Sequence, residues 1–156
     1  MGHVTGMMCA MPSFSHTLQV DAAPDAVYAI LDDTDRTPEW LSRCTGIDNL
    51  GDGPNAVGTP LRYHYKDGRR TGEMDGRITT HEAGRRFAMN FVDTMMDVTV
   101  DFETAPGADP ATTRLTHTVD NRPTGVGKLF TPLIKRSLPK QTTGAMEKLK
   151  ALAERG

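Results

Sequence analysis

The sequence predicts an α+β fold in which a seven-stranded antiparallel sheet lies beneath a long C-terminal helix, with two short helices after the first strand. Apolar side chains recur at helical spacing through residues 124–155 and charged side chains occupy the opposite side, which indicates an amphipathic helix. Most of the upstream segments alternate apolar and polar residues with the period of two that half-buried strands show. Strands in hairpin succession that are polar on one side form one sheet, and the helix would cover its apolar side.

The length of 156 residues is sufficient for one domain with its own core. We expect residues 1–12 to be a disordered N-terminal tail and residues 13–156 to form a single domain. Cys9 and Cys44 are a poor basis for a disulfide because Cys9 lies in that tail, and no charged leader is present. These features favour a reducing cytoplasm. No apolar run of about 18 residues predicts a membrane span.

Charge is distributed unevenly along the chain. The net charge of −2 gives no reason to expect nucleic-acid binding. From Arg122 onward, eight Lys and Arg against two Asp and Glu give +6, whereas ten against eighteen upstream give −8. Two interpretations stay open: the basic helix contacts anionic lipid or a phosphate, or it is a solvated face that balances an acidic body.

The N-terminal part has the pattern of one strand and two short helices. Alternation from Phe14 to Val20 predicts a half-buried strand. Pro24 suits the first turn of a helix, and a second short helix at residues 36–41 carries Trp40, which we expect to be a structural plug. The predicted buried side of the first helix consists of Ala26, Val27, Ile30 and Leu31.

The first predicted hairpin turns at Asp67-Gly68, which has the composition of a two-residue type I′ turn. This turn would place Tyr63 opposite Gly72 on the apolar face. Gly72 and Gly76 would leave gaps on that face. The gaps either let the sheet bend or leave room for something that is not protein.

The second predicted hairpin turns at Asp93-Thr94 and would pair Phe91 with Met96. A last strand follows after a loop. Its inward side is predicted to carry Thr113, Leu115, His117 and Val119.

The closing helix shows a break in its apolar stripe at Pro139, where a proline would kink the axis. Thr131-Pro132 is a candidate restart, as N-cap and first helical residue. We therefore expect a hinged lid whose front section, including Phe130 and Leu133, controls access to the space beneath it.

Two stretches near the opening of the chain form a recognisable pattern, Val20-Asp21-Ala22-Ala23-Pro24-Asp25-Ala26-Val27-Tyr28-Ala29-Ile30-Leu31 and Thr37-Pro38-Glu39-Trp40. This pattern resembles the opening of the START/birch-pollen-allergen-like superfamily, also called SRPBCC. The polyketide cyclase/dehydrase and lipid-transport branch is the most similar. The resemblance implies a helix-grip fold, in which a curved sheet wraps the C-terminal helix around an apolar cavity. It also implies binding of lipids, sterols, hormones or polyketides, and in some members cyclisation, but it supplies no catalytic residue.

Two histidines lie on the inward phase of the first and last predicted strands. His16 and His117 would approach each other if those strands are neighbours, as they are in the helix-grip fold. A histidine in a pocket titrates near neutral pH and can serve as general acid or base. The alternative is a histidine hydrogen-bonded within the core or at the cavity rim. No partner for a metal is evident, so we expect no metal.

Tyr63, Tyr65 and Arg70 cluster at one end of the predicted inner face. They would either anchor the polar head of an apolar ligand, or form a rim cluster that meets only water. Methionines on the same face tolerate ligands of varied shape, but they fill ordinary cores equally well. These are Met74, Met89 and Met96.

The function predicted from these observations is cytoplasmic binding, transport or sequestration of a hydrophobic small molecule between sheet and helix, without a cofactor. The predicted ligand contacts are Tyr63, Tyr65, Met74, Met89, Phe91, Met96, His117, Phe130 and Leu133. The alternative is an aromatase/cyclase-like enzyme, with His117, Tyr63 and Arg70 as candidate catalytic residues and conformational restraint of the chain as the main source of rate. A third hypothesis is weak contact of the basic helix with a membrane surface. Monomer and homodimer are both compatible with the sequence.

Overall fold

Residues 13–155 are described by a computed structural model, and residues 1–12, predicted to be disordered, lie outside that range. The described chain forms seven strands and three α-helices, with two 3-10 segments. In order these are β1 (Ser13–Val20), α1 (Pro24–Asp32), a 3-10 turn (Thr34–Arg36), α2 (Thr37–Trp40), β2 (Cys44–Asn49), β3 (Pro60–Asp67), β4 (Arg70–Glu82), β5 (Arg86–Val92), β6 (Met96–Pro106), β7 (Thr113–Pro123), a second 3-10 segment (Gly125–Phe130) and α3 (Thr131–Arg155).

The strands form one antiparallel sheet in the order β1-β7-β6-β5-β4-β3-β2. The apolar face of the sheet is the side on which α3 packs, since strand residues of this face join helix residues in one core. We call this side the inner face. This arrangement of sheet and C-terminal helix is the helix-grip fold and confirms the predicted fold class.

The rear of α3 anchors the helix in the core. It buries one side, at the spacing of an amphipathic helix, while α1 and α2 pack beside it. The buried residues of α3 are Leu138, Thr142, Ala145, Met146, Leu149 and Ala153.

The buried side of α1 differs from the prediction at two positions. Ala26 is exposed, and Tyr28 is buried in its place beside Val27. The tyrosine can be buried because its hydroxyl donates a hydrogen bond to the carbonyl oxygen of Arg86, at 3.2 Å. Burial raises the pKa of Tyr28 to about 12.

The predicted register of the β3–β4 hairpin is wrong by two residues. Asp67 pairs with Arg70, so the turn residues are Gly68 and Arg69. Gly68 has a φ of +66°, and among the described residues only glycines have a positive φ. The first of the two turn residues is therefore the glycine, as in type II′ turns. A shift of two residues preserves the faces, but it is Tyr65, not Tyr63, that lies opposite Gly72.

The predicted register of the β5–β6 hairpin is also wrong by two. Phe91 pairs with Val98, and the loop closes with a hydrogen bond from the backbone N–H of Asp93 to the carbonyl oxygen of Met96. The carboxylate of Asp93 accepts hydrogen bonds from the backbone N–H groups of Met95 and Met96, at 2.7 and 2.8 Å. This aspartate cap stabilises the longer loop in place of the two-residue turn.

The front of the closing helix changes type where the sequence suggested a restart. The 3-10 segment gives way to α3 at Thr131, and α3 then continues through Pro139. The 3-10 segment lies directly on the β5–β6 loop, because a Cβ on Gly127 would meet the backbone of Met95. The N–H of Thr124 donates to the carbonyl oxygen of Met95 at 2.8 Å.

The close approach at Gly76 generates a stability prediction. A Cβ at this position would overlap the Phe91 ring and lie 2.6 Å from the carbonyl oxygen of Asn90, which belongs to the backbone and cannot rotate away. We expect Gly76→Ala to lower the free energy of unfolding by about 1–3 kcal/mol, measured by urea denaturation. Gly46→Ala is the matched control, because its Cβ meets nothing within 4 Å. Equal stability of the two variants would contradict this packing.

Candidate ligand-binding site

One part of the inner face is only half-buried although it is apolar. The residues concerned come from β3 and from the start of β6, and they pack against the fully buried core. They are Tyr63, Tyr65, Met96, Val98 and Val100. Each is half-buried, so part of this apolar surface is in contact with solvent, and we call this part of the inner face the apolar cleft. We call this set the cleft residues.

A row of aromatic rings forms one wall of the cleft. The ring centroids of Tyr63 and Tyr65 are 6.0 Å apart, and those of Tyr63 and Phe91 are 5.2 Å apart. The Tyr65 ring lies over Gly72 and the Phe91 ring over Gly76. The gaps expected at the two glycines are therefore filled by these rings.

Burial sets the protonation of the groups in this wall. Desolvation raises the pKa of the Tyr63 phenol, and nearby Cys44 contributes in the same direction. Desolvation also raises the pKa of Cys44 to about 11. Both groups are neutral at pH 7, so Tyr63 can donate a hydrogen bond but is no base, and Cys44 is not a reactive thiolate.

His117 on β7 and His16 on β1 lie directly opposite each other in the pairing of these two strands. This is the approach that the sequence predicts if the first and last strands are neighbours. His117 is 5% exposed and stacks on Phe102 with ring centroids 4.1 Å apart. Its Nδ1 lies 3.1 Å from the carbonyl oxygen of Asp101, which can only accept, so Nδ1 carries the proton. Desolvation lowers the pKa of His117 to about 4. The imidazole is therefore neutral at pH 7.

The nine predicted ligand contacts fall into three groups by burial. Met74, Met89, Phe91 and His117 are fully buried in the core. Tyr63, Tyr65 and Met96 belong to the cleft. Phe130 and Leu133, on the front of the closing helix, are 44% and 61% exposed. The contact of each with a ligand stays a prediction.

Arg70, the third of the candidate catalytic residues beside His117 and Tyr63, lies apart from the wall of the cleft. It is the first residue of β4, it is exposed, and its partner across the hairpin is Asp67. Arg70 therefore lies at the outer end of the hairpin, beyond the pair formed by Tyr65 and Gly72.

Four residues were not connected with a ligand by sequence reasoning. Val98 and Val100 alternate inward with Met96 but were not connected with a ligand. Two buried polar atoms have no hydrogen-bond partner within the described chain, the Nε1 of Trp40 and the Oδ1 of Asn121. Side chains alternate between the two faces along β7, so Asn121, two residues after the inward Val119, is also predicted to point inward. The unpaired Trp40 nitrogen has no signal in the sequence.

A separate groove of about 590 Å³ lies on the opposite, outer face of the sheet. Its walls are polar and include two arginines and two aspartates, which does not suit an apolar ligand. The lining residues are Arg77, Thr79, Asn90, Asp97, Thr99, Asp120, Asn121 and Arg122. Although Asn121 borders this groove, the alternation along β7 directs its side chain inward.

The buried His117 generates a prediction of pH dependence. Its pKa of about 4 in the folded protein is below the ordinary value of 6.5, so the unfolded chain binds more protons between these two pH values. The free energy of unfolding should therefore fall by about 3 kcal/mol from this group as the pH is lowered from 6.5 to 4. His117→Gln should lose this part of the pH dependence in urea denaturation. An imidazole signal of His117 that titrates in NMR spectra above pH 6 would contradict the account.

Among the residues 13–155, no group of three His, Cys, Asp or Glu side chains is arranged to hold a metal ion. No helix in the same range is long and apolar enough to cross a membrane.

Solved structures share this fold at low sequence identity. The Zhui aromatase/cyclase from Streptomyces sp. R1128 is 16% identical with a TM-score of 0.77, covering 93% of this chain and 94% of its own. A START superfamily protein from Mycobacterium smegmatis is 16% identical with a TM-score of 0.73, covering 92% and 97%. The di-domain aromatase/cyclase BexL is 17% identical with a TM-score of 0.69, covering 89% of this chain and 45% of that one.

No curated protein sequence matches the chain. A family does match, over residues 11–154, and it is described as polyketide cyclase / dehydrase and lipid transport. The match spans nearly the whole chain, and the fold and the apolar cleft agree with a domain that binds hydrophobic ligands. The chain therefore belongs to the polyketide cyclase/dehydrase and lipid-transport family of the START-like superfamily.

Proposed function

We propose that this domain binds a hydrophobic small molecule, such as a lipid, isoprenoid, polyketide or aromatic compound, in the cleft between the inner face of the sheet and the front of the closing helix. The observation that carries the proposal is the half-burial of the cleft residues, since apolar side chains of a core are normally covered completely. A ligand lying on Tyr63, Val98 and Val100 would remove this area from water, which stabilises a complex by about 25 cal/mol per Å².

The polar groups around the cleft suit a ligand that is apolar with few polar atoms. Tyr63 offers a phenol that is protonated at neutral pH, because desolvation raises its pKa. The unpaired Oδ1 of Asn121, which lies opposite Val98 in the pairing of β6 and β7, adds one buried acceptor. A buried group left without a partner costs about 1–3 kcal/mol, so a ligand that supplied the missing partner would gain affinity and orientation.

Binding is tested with the neutral fluorescent probe N-phenyl-1-naphthylamine, whose emission rises in apolar surroundings. Val98→Phe fills part of the cleft and should weaken probe binding at least about tenfold, or about 1.4 kcal/mol. Val92→Phe is the matched control, because it makes the same change on the exposed outer side of neighbouring β5. Binding that is absent in the parent, or equal in the two variants, would overturn the proposal.

A second candidate function is that of an aromatase/cyclase, in which the cleft folds a linear polyketide. Aldol closure joins an enolate carbon to a ketone carbon of the same chain, and dehydration then releases one water, so the reaction needs no cofactor. Tyr63 favours this candidate because its protonated phenol could donate a hydrogen bond to the enolate oxygen. Neutral His117 could act only as a base, and a weak one at its pKa of about 4.

The enzymatic candidate is tested by incubating the protein with a linear poly-β-ketone thioester and following the absorbance of aromatic product. Catalysis by Tyr63 predicts that Tyr63→Phe lowers kcat by about 100- to 1,000-fold, as the loss of a single hydrogen-bond donor to an oxyanion does. Tyr65→Phe, the same change in the adjacent ring, should retain kcat. Absence of product with the parent protein would remove this candidate, whereas the probe titration decides on binding.

A further inference from the structure

The front of the closing helix presents apolar side chains to water on the outside of the fold. Val126 is 67% exposed, Leu129 81% and Leu133 61%. We call these three residues the exposed apolar patch. Their exposure is high for side chains of this type and they follow each other within eight positions, so they form one surface rather than scattered positions.

The patch lies within the most basic part of the chain. Between Asp120 and Glu147 the sequence has five Lys and Arg and no Asp or Glu. Within residues 13–155, none of Lys128, Lys135 and Lys140 forms a salt bridge, in contrast to the acidic upstream part, where arginines pair with aspartates and glutamates. The lysine ammonium groups are therefore available to an external anionic surface.

Apolar and basic side chains share the outward side of α3. At about 100° per residue, Leu133 lies about 140° around the helix from the buried Leu138. Arg136 and Lys140 lie about 160° from Leu138, so all three project away from the core. All three are exposed, which agrees with this placement. Leu129 and Val126 extend the surface along the preceding 3-10 segment.

We propose that the exposed apolar patch docks this domain on the surface of an anionic lipid bilayer. The apolar side chains enter the boundary between headgroups and acyl chains, and the surrounding Lys and Arg contact anionic headgroups, as in interfacial amphipathic helices. The opposite charges of the two parts of the chain, −8 before Arg122 and +6 from it onward, orient the basic end toward such a surface.

A bilayer fits the charge and shape of this surface better than a second copy of the chain. Contact between two copies through the patch would bring two clusters of five basic residues together, and like charges in an interface oppose association. The three apolar side chains project from a helical surface, and a fluid bilayer accepts such projections without a complementary pocket. This inference does not depend on the ligand proposed above.

The test is flotation with vesicles of phosphatidylcholine and phosphatidylglycerol at a ratio of 7:3, compared with vesicles of phosphatidylcholine alone. We expect at least about tenfold stronger partitioning to the anionic vesicles, decreasing between 50 and 500 mM NaCl. Val126→Ser/Leu129→Ser should reduce this partitioning at least about tenfold. The matched control is Val57→Ser/Leu50→Ser, which changes the same residue types at other exposed positions.

Thermal denaturation followed by circular dichroism establishes that both double variants are folded, since all four positions are exposed. Lys128→Gln/Lys135→Gln should weaken partitioning to the anionic vesicles without changing that to neutral ones. The proposal is overturned by absent binding, by equal binding to the two vesicle types, or by equal loss in the two double variants. A dimer in sedimentation velocity that is lost on Val126→Ser/Leu129→Ser would assign the patch to a second copy instead.

Discussion

The structure depends on the burial of one broad apolar sheet face by a single helix that is too narrow to cover it. Seven strands about 4.8 Å apart span roughly 30 Å, whereas a helix with its side chains is about 10 Å across. α3 packs most extensively on β1, and α1 and α2 cover further parts. The start of β6 and the end of β3 remain half-covered. The apolar cleft is thus the part of the inner face that the three helices leave uncovered.

The sequence predicted the faces of the strands but not their registers. Alternation is a local pattern, so it placed Tyr63, Met96 and His117 correctly on the inner face before any pairing was known. Register depends on how each turn closes, and one backbone effect and one side-chain effect decided this. Gly68 took the one position of positive φ in its hairpin, and the carboxylate of Asp93 capped a longer loop.

The degree of burial could not be predicted, because it depends on contacts between distant elements. Met74 and Met96 have the same residue type and phase, yet Met74 is buried and Met96 half-buried, since they lie on different strands beneath different cover.

The continuity of the closing helix was not predicted either, because Pro139 suggested a break, whereas α3 continues through it. Pro139 has no backbone N–H to donate, but the helix is continuous on both sides of it. The change from 3-10 to α-helix occurs earlier, at Thr131.

The central claim is that the apolar cleft, rather than the outer groove or the exposed apolar patch, receives the ligand. Nuclear Overhauser effects between N-phenyl-1-naphthylamine and methyl groups of the ¹³C-labelled protein test it most directly, because they report contacts within about 5 Å, on the order of the hydrophobic contact distance. The account predicts effects at the methyl groups of Val98 and Val100. Effects confined to Val92 on the outer face, or to Val126 and Leu129, would contradict it.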